Sequence, residues 1–233
     1  MKNFKKFTLG VMGAVLLATG LWACSNEDST GQAEQTQMLG RNTPIYKNGD
    51  EVTNYFLESI GVKSVEEYNL SNEKELLSFI QKQNIDLDEY NLSDIQMITV
   101  NGENDYIGLN LFSKFDKNKS LSLKIRKFDK NKFELNKAVI VKSSYLSNGR
   151  LKAVEYSNAI DKSQFKFIDV EKLTVFADED QLGPKRPGES YLDCVERNWD
   201  NFGYDLIGKI AQATQPHLVA AAIAIVCVAE EKK

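Results

Sequence analysis

From Leu218 to Ala229 the chain runs for twelve residues without one charged, amide or hydroxyl side chain. A helix of that composition is apolar on every side and has no face it can leave in water. At 1.5 Å per residue it would be about 18 Å long, well short of the ~30 Å hydrocarbon core of a bilayer. It must therefore be covered by a sheet, by the helix before it, by another chain or by a membrane surface. Whatever the rest of the chain builds has to supply that cover.

The nearest cover is the segment just before it. Ser190 can cap a helix on which Val195, Trp199, Phe202, Leu206, Ile210 and Ala213 form one stripe, and Pro216 suits the first turn of the apolar helix. Residues 191–233 thus read as a C-terminal helical hairpin with more apolar surface than two helices can hide in each other. Residues 183–190, with both Gly-Pro and Pro-Gly and no apolar periodicity, read as a linker. Either the hairpin completes the core of the main domain, or it is a cargo freed by a trypsin-like cut at Lys185 or Arg186.

At the other end, Lys2, Lys5 and Lys6 precede an apolar run from Phe7 to about Leu21, the layout of a secretory signal. Leu21-Trp22-Ala23-Cys24 then resembles the lipobox of bacterial lipoproteins, with Trp22 departing from the small or β-branched residue usual there. The resemblance implies cleavage after Ala23 and a diacylglycerol thioether, later extended by palmitate-type acylation, on Cys24. It covers delivery alone and implies a lipid-anchored protein of the bacterial outer membrane or cell surface. Ser25-Asn26-Glu27-Asp28 resembles the surface-export signal of Bacteroidota-type lipoproteins, or is simply the solvated start of a linker. Residues 24–44 are polar up to Met38 and Leu39 and read as a flexible tether, with a typical reach of about 25 Å for twenty residues. With Cys24 lipidated, Cys194 and Cys227 are the two thiols left in a disulfide-permissive compartment and are expected to pair. In a straight hairpin their axial offset would be about 13 Å, so the first helix must bend or start late, with Asn201 to Gly203 the natural place.

Between tether and linker, residues 45–182 change period midway. Val52, Tyr55, Phe56 and Ile60 recur at helical spacing before Gly61, and Asn72 with Glu75 offers a capping box for a second helix carrying Leu76, Leu77, Phe79 and Ile80. From Ile95 to about residue 176 the period becomes two, punctuated by Asn101-Gly102, Asn148-Gly149 and two copies of Phe-Asp-Lys-Asn-Lys at 115–119 and 128–132. The fold class is α+β: two N-terminal helices, an antiparallel meander of five to seven strands and a C-terminal helical hairpin. One sheet face should meet helices, with Ser122, Lys124 and Arg126 on the other. The pentapeptide Glu-Tyr-Asn-Leu-Ser occurs at 67–71 and again at 89–93, consistent with two similar turns.

Removing the three signal lysines takes the net charge from −4 to −7, which excludes nucleic acid as a natural partner. Charge is unevenly spread, because residues 114–152 alone hold twelve bases and three acids. Either these lysines keep strand edges soluble, or Lys124 and Arg126 belong to an exposed face for an anionic glycan, a lipopolysaccharide or an acidic protein. Catalytic signals are missing: there is no phosphate loop, no nucleophile elbow and no Cys or His metal spacing. The Phe-Asp-Lys-Asn-Lys copies lack the acids, glycine and terminal glutamate of an EF-hand loop. His217 is the one histidine and has no serine or cysteine beside it. No cofactor and no metal is expected. The chain reads as a binding or display lipoprotein rather than an enzyme; the alternatives are a carrier releasing its C-terminal peptide, or a hydrolase using Asp86, Asp88, Glu89 or Asp178, Glu179, Asp180.

Overall fold

Seven antiparallel strands, β1 (Val62–Tyr68), β2 (Tyr90–Val100), β3 (Tyr106–Ser113), β4 (Lys119–Asp129), β5 (Lys132–Tyr145), β6 (Leu151–Asn158) and β7 (Gln164–Asp169), lie side by side in chain order. They are seen in a computed structural model that describes residues 44–129, 131–173, 181–201 and 215–228. Among the described residues four helices accompany them: α1 (Glu51–Ser59), α2 (Lys74–Gln81), α3 (Tyr191–Asp200) and α4 (Pro216–Val226). The fold is α+β, as the change of period implied. Cys24, the tether up to residue 43, Asp178 to Asp180, and the part of the hairpin stripe from Phe202 to Ala213 lie outside the described residues.

The N-terminal helices differ in how well their ends follow the sequence signals. Asp50 caps α1 by accepting from the Thr53 amide, and Gly61 leaves the helix at φ +87°, a conformation that suits glycine. The capping box expected at Asn72 and Glu75 is not made. Asn72 instead ends a short 3-10 turn, Leu70–Asn72, capped by Asn69; that turn buries Leu70, so α2 starts one residue later than expected, behind Glu73, whose side chain makes no capping bond.

Strand β1 falls where no strand is expected. Its two buried residues, Val62 and Val65, are three apart rather than two, because the pairing with β2 slips between Val62 and Ser64. A bulge of this kind moves one side chain across the sheet and hides the period-two pattern. The two Glu-Tyr-Asn-Leu-Ser copies end β1 and begin β2 as equivalent Asx turns, with Asn69 accepting from Ser71 N and Asn91 from Ser93 N, both at 3.0 Å.

The sheet is the middle layer of three. On one face Ile98, Val100, Val139, Val141, Val154, Tyr156 and Ile168 pack with α1, α3 and α4; on the other Ile95, Leu109, Leu111, Leu121, Leu123 and Ile125 pack with Leu76 and Ile80 of α2. From Ser120 to Ile125 strand β4 is buried on both sides. The expectation of one solvent face is therefore corrected, since the face holding Ser122 and Lys124 is the one that α4 covers.

Helix α4 meets the need stated by its sequence: every residue from Leu218 to Val226 is buried, and it touches β2 to β5, α1 and α3. Fully burying each Leu, Ile or Val on it contributes about 1.5–3 kcal/mol. The helix lies close because Gly108 has no side chain; a Cβ there would sit 2.6 Å from Ile225 Cγ2 and 3.0 Å from the Ile98 carbonyl. The linker is fastened rather than loose. Arg197 donates to the carbonyls of Gln181, Gly183 and Pro184 and pairs with Glu189, while Asn198 both donates to and accepts from Gly183. Residues 43–233 accordingly form one compact unit. No helix of the described residues is long and apolar enough to cross a membrane.

Candidate anion-binding groove

Of the two residues singled out as an exposed cationic face, Lys124 is only 1% exposed. Its ammonium lies 2.5 Å from Glu103 Oε2, donates to the Val228 carbonyl at 2.5 Å and sits 5.2 Å from the Tyr106 ring centroid. Cross-strand from Gly108, it points to the α4 side, where the C-terminal end of the helix carries partial negative charge and favours a cation. Alternation along β4 could place Lys124 opposite Leu123, but nothing in it could say that a helix end would wait there. Arg126 is half-buried, with its guanidinium 4.6 Å from the Phe128 ring and 5.5 Å from that of Tyr106. It braces Phe128 and stays near the surface.

That stacking leads to an open groove of about 750 Å³ lined by Lys74, Glu75, Ser78, Phe79 and Lys82 of α2 and its end, and by Phe128, Asn131, Lys132 and Phe133 of the β4–β5 hairpin. Helical spacing puts Lys74, Ser78 and Lys82 on one face of α2, four residues apart. The second Phe-Asp-Lys-Asn-Lys copy brings Phe128 and Lys132 to the hairpin tip, where Asp129 and Lys132 pair across the turn. Phe79 and Phe133 close the floor with centroids 5.6 Å apart. Phe128 is 51% exposed, and Lys74, Lys82 and Lys132 are all exposed, with no ion pair made by any of the three among the described residues. Three cations and one carboxylate, Glu75, over three phenyl rings give the groove a net positive charge above an apolar floor.

The first copy of the motif makes a different environment at the opposite end of β4. Phe115 is 82% exposed, but Lys119 pairs with Glu89 at 2.5 Å and Lys114 donates to the Asp88 carbonyl at 2.9 Å. Asp88 N in turn bonds Asp86, so this acidic cluster shapes a turn and neutralises the hairpin. Of the residues named for a hydrolase, Asp86 and Glu89 thus commit their carboxylates to these contacts, and Asp88 contributes its backbone. Among the described residues no three His, Cys, Asp or Glu side chains gather as metal ligands.

Cys194 and Cys227 are bonded, with Cα atoms 5.5 Å apart. Both are fully buried, and the Asn198 amide lies 3.5 Å from each sulfur. Helix α3 ends at Asp200 with Asn201 as its cap, which removes the long straight hairpin that would have held them apart. Beside them Trp199 Nε1 donates to Tyr156 Oη at 2.9 Å, and that hydroxyl donates on to the Ala220 carbonyl at 3.1 Å. Burial raises the Tyr156 and Tyr191 phenols, and Arg197 holds the Glu189 carboxyl below the usual range. His217 stands edge-on to Phe112, with centroids 5.5 Å apart, and burial lowers its pKa. These are features of packing.

What sequence reading missed was the groove itself. The doubled motif was its visible signal, read for its turn chemistry; Lys74 and Lys82 come from a helix more than forty residues earlier. In comparison with known proteins, no family model, no curated protein and no solved structure matches this chain.

Proposed function

We propose that the chain is a lipid-anchored protein of the bacterial envelope whose domain is a binding module for an anionic, partly apolar partner at the α2 and β4–β5 groove. The observation that carries it is the exposed set Lys74, Lys82 and Lys132, without an ion pair among the described residues, over Phe79, Phe128 and Phe133. Its few directional polar groups, Ser78, Asn131 and Glu75, fit recognition by charge and apolar contact better than a network of hydroxyl contacts to a sugar. Anchoring is assigned to Cys24 on its resemblance to a lipobox, with the domain at the outer membrane or cell surface. Release of a C-terminal peptide finds little support, since α4 lies in the core.

Anilinonaphthalene sulfonate, an aromatic anion, tests the site. Saturable fluorescence that falls with salt and is lost in the variant Lys74→Gln, Lys82→Gln, Lys132→Gln with unchanged melting is expected; equal titrations of parent and variant would remove the groove from consideration. For the anchor, labelled palmitate should enter the parent protein and not Cys24→Ala.

A further inference from the structure

We infer that the partner in the groove is an anionic phospholipid of the membrane to which the domain is tethered, an inference that rests on the anionic-partner reading above. Lysines that reach outward around exposed phenyl rings match the boundary of a bilayer, where phosphates lie above the first methylenes of the chains. In the groove the rings of Phe79, Phe128 and Phe133 face the apolar part, and Lys74, Lys82 and Lys132 ring the position of the phosphate. The exposed Lys127, next to Phe128 on β4, adds a further cation at the same tip. Phe128 is held outward by Arg126, stacked on it at 4.6 Å, so this apolar tip is presented rather than folded back.

Distance supports the same occupant. On the lipobox reading, acyl chains on Cys24 and the nineteen residues to Thr43 would give the domain a typical separation of about 25 Å from the lipid. At that range the effective concentration of headgroups is in the millimolar range or above, enough to populate a contact that would be too weak for a free partner. The consequence is an orientation: the hairpin end of β4 faces the membrane, and the Phe115 end faces away. The two Phe-Asp-Lys-Asn-Lys copies thus supply an internal control, since Lys119 of the first is tied to Glu89, whereas Lys132 of the second makes no ion pair among the described residues.

The test uses the full chain carrying Cys24→Ser, made without acyl groups, in sedimentation with vesicles of phosphatidylglycerol and phosphatidylcholine in equal parts, and with pure phosphatidylcholine. Salt-sensitive binding to the mixed vesicles is expected, weakened by about a hundredfold in the Lys74→Gln, Lys82→Gln, Lys132→Gln variant. Phe128→Ala should weaken it as well, whereas Phe115→Ala should not. Binding equally to both vesicle types, or equal losses from Phe115→Ala and Phe128→Ala, overturns the proposal. Absence of vesicle binding while the aromatic sulfonate still binds overturns the lipid assignment alone; absence of both overturns the groove reading with it.

Discussion

The two faces of the sheet are built to different standards. Among the described residues the α4 face carries three helices, a disulfide, the ion pair of buried Lys124 and the Trp199–Tyr156 hydrogen bond, whereas the α2 face carries one eight-residue helix and opens into a groove. The difference separates two tasks. A face with many buried contacts resists local opening, and a binding surface is drawn from regions that keep side chains exposed. On this view the covered face should set the stability of the domain, and the groove should tolerate substitution freely.

The largest effect is expected from Trp199→Ala, which removes a fully buried indole and leaves the Tyr156 hydroxyl without its donor. A loss of about 3–5 kcal/mol in denaturant unfolding is expected; less than about 1 kcal/mol would mean that α3 is an accessory, and the contrast between the faces would fail. Next comes the ion pair. Glu103→Leu strands the Lys124 charge beside the end of α4, at an expected cost of about 3 kcal/mol, and adding Lys124→Met should restore most of it. A double variant no better than the single one would break the account of Lys124 as half of a buried pair.

Replacing both cysteines by alanine should cost about 2–4 kcal/mol, consistent with a closed loop of 33 residues, measured against the oxidised parent. Free thiols in the oxidised protein would remove this difference between the faces altogether. The smallest effect concerns pH. Burial lowers the His217 pKa below 6.5, so between the folded and unfolded values the unfolded chain holds the extra proton. Stability contributed by the neutral ring is thus present above the unfolded value and is lost as pH falls through the window below 6.5. His217→Phe should flatten the melting temperature over that window, and an unchanged slope would place the titration elsewhere.

Much of this architecture is written in local patterns. The helical spacing from Val52 to Ile60 yields α1, the Ser190 signal yields a capping box with Asp193, and the period-two stretches after Ile95 yield the meander. Pairing of Cys194 with Cys227 followed from compartment and count, although the helix end that permits it could be named only as a requirement. The bulge that disguises β1 and the turn that displaces the start of α2 depend on partners outside the local window, which is why spacing failed at both.

By itself the sequence determined that Leu218 to Ala229 had to be covered, because no helix can hide an apolar surface that runs all the way round it. Only the tertiary structure decided what covers it. Helix α4 lies on the sheet face that alternation had assigned to water, made possible by Gly108 and by the buried polar row of Ser122 and Lys124. The same placement decided the fate of the basic residues. Alternation states which side chains share a face of β4, but burial depends on what arrives from a hundred residues away, so Lys124 went to the end of α4 and the exposed charge fell to Lys74, Lys82 and Lys132.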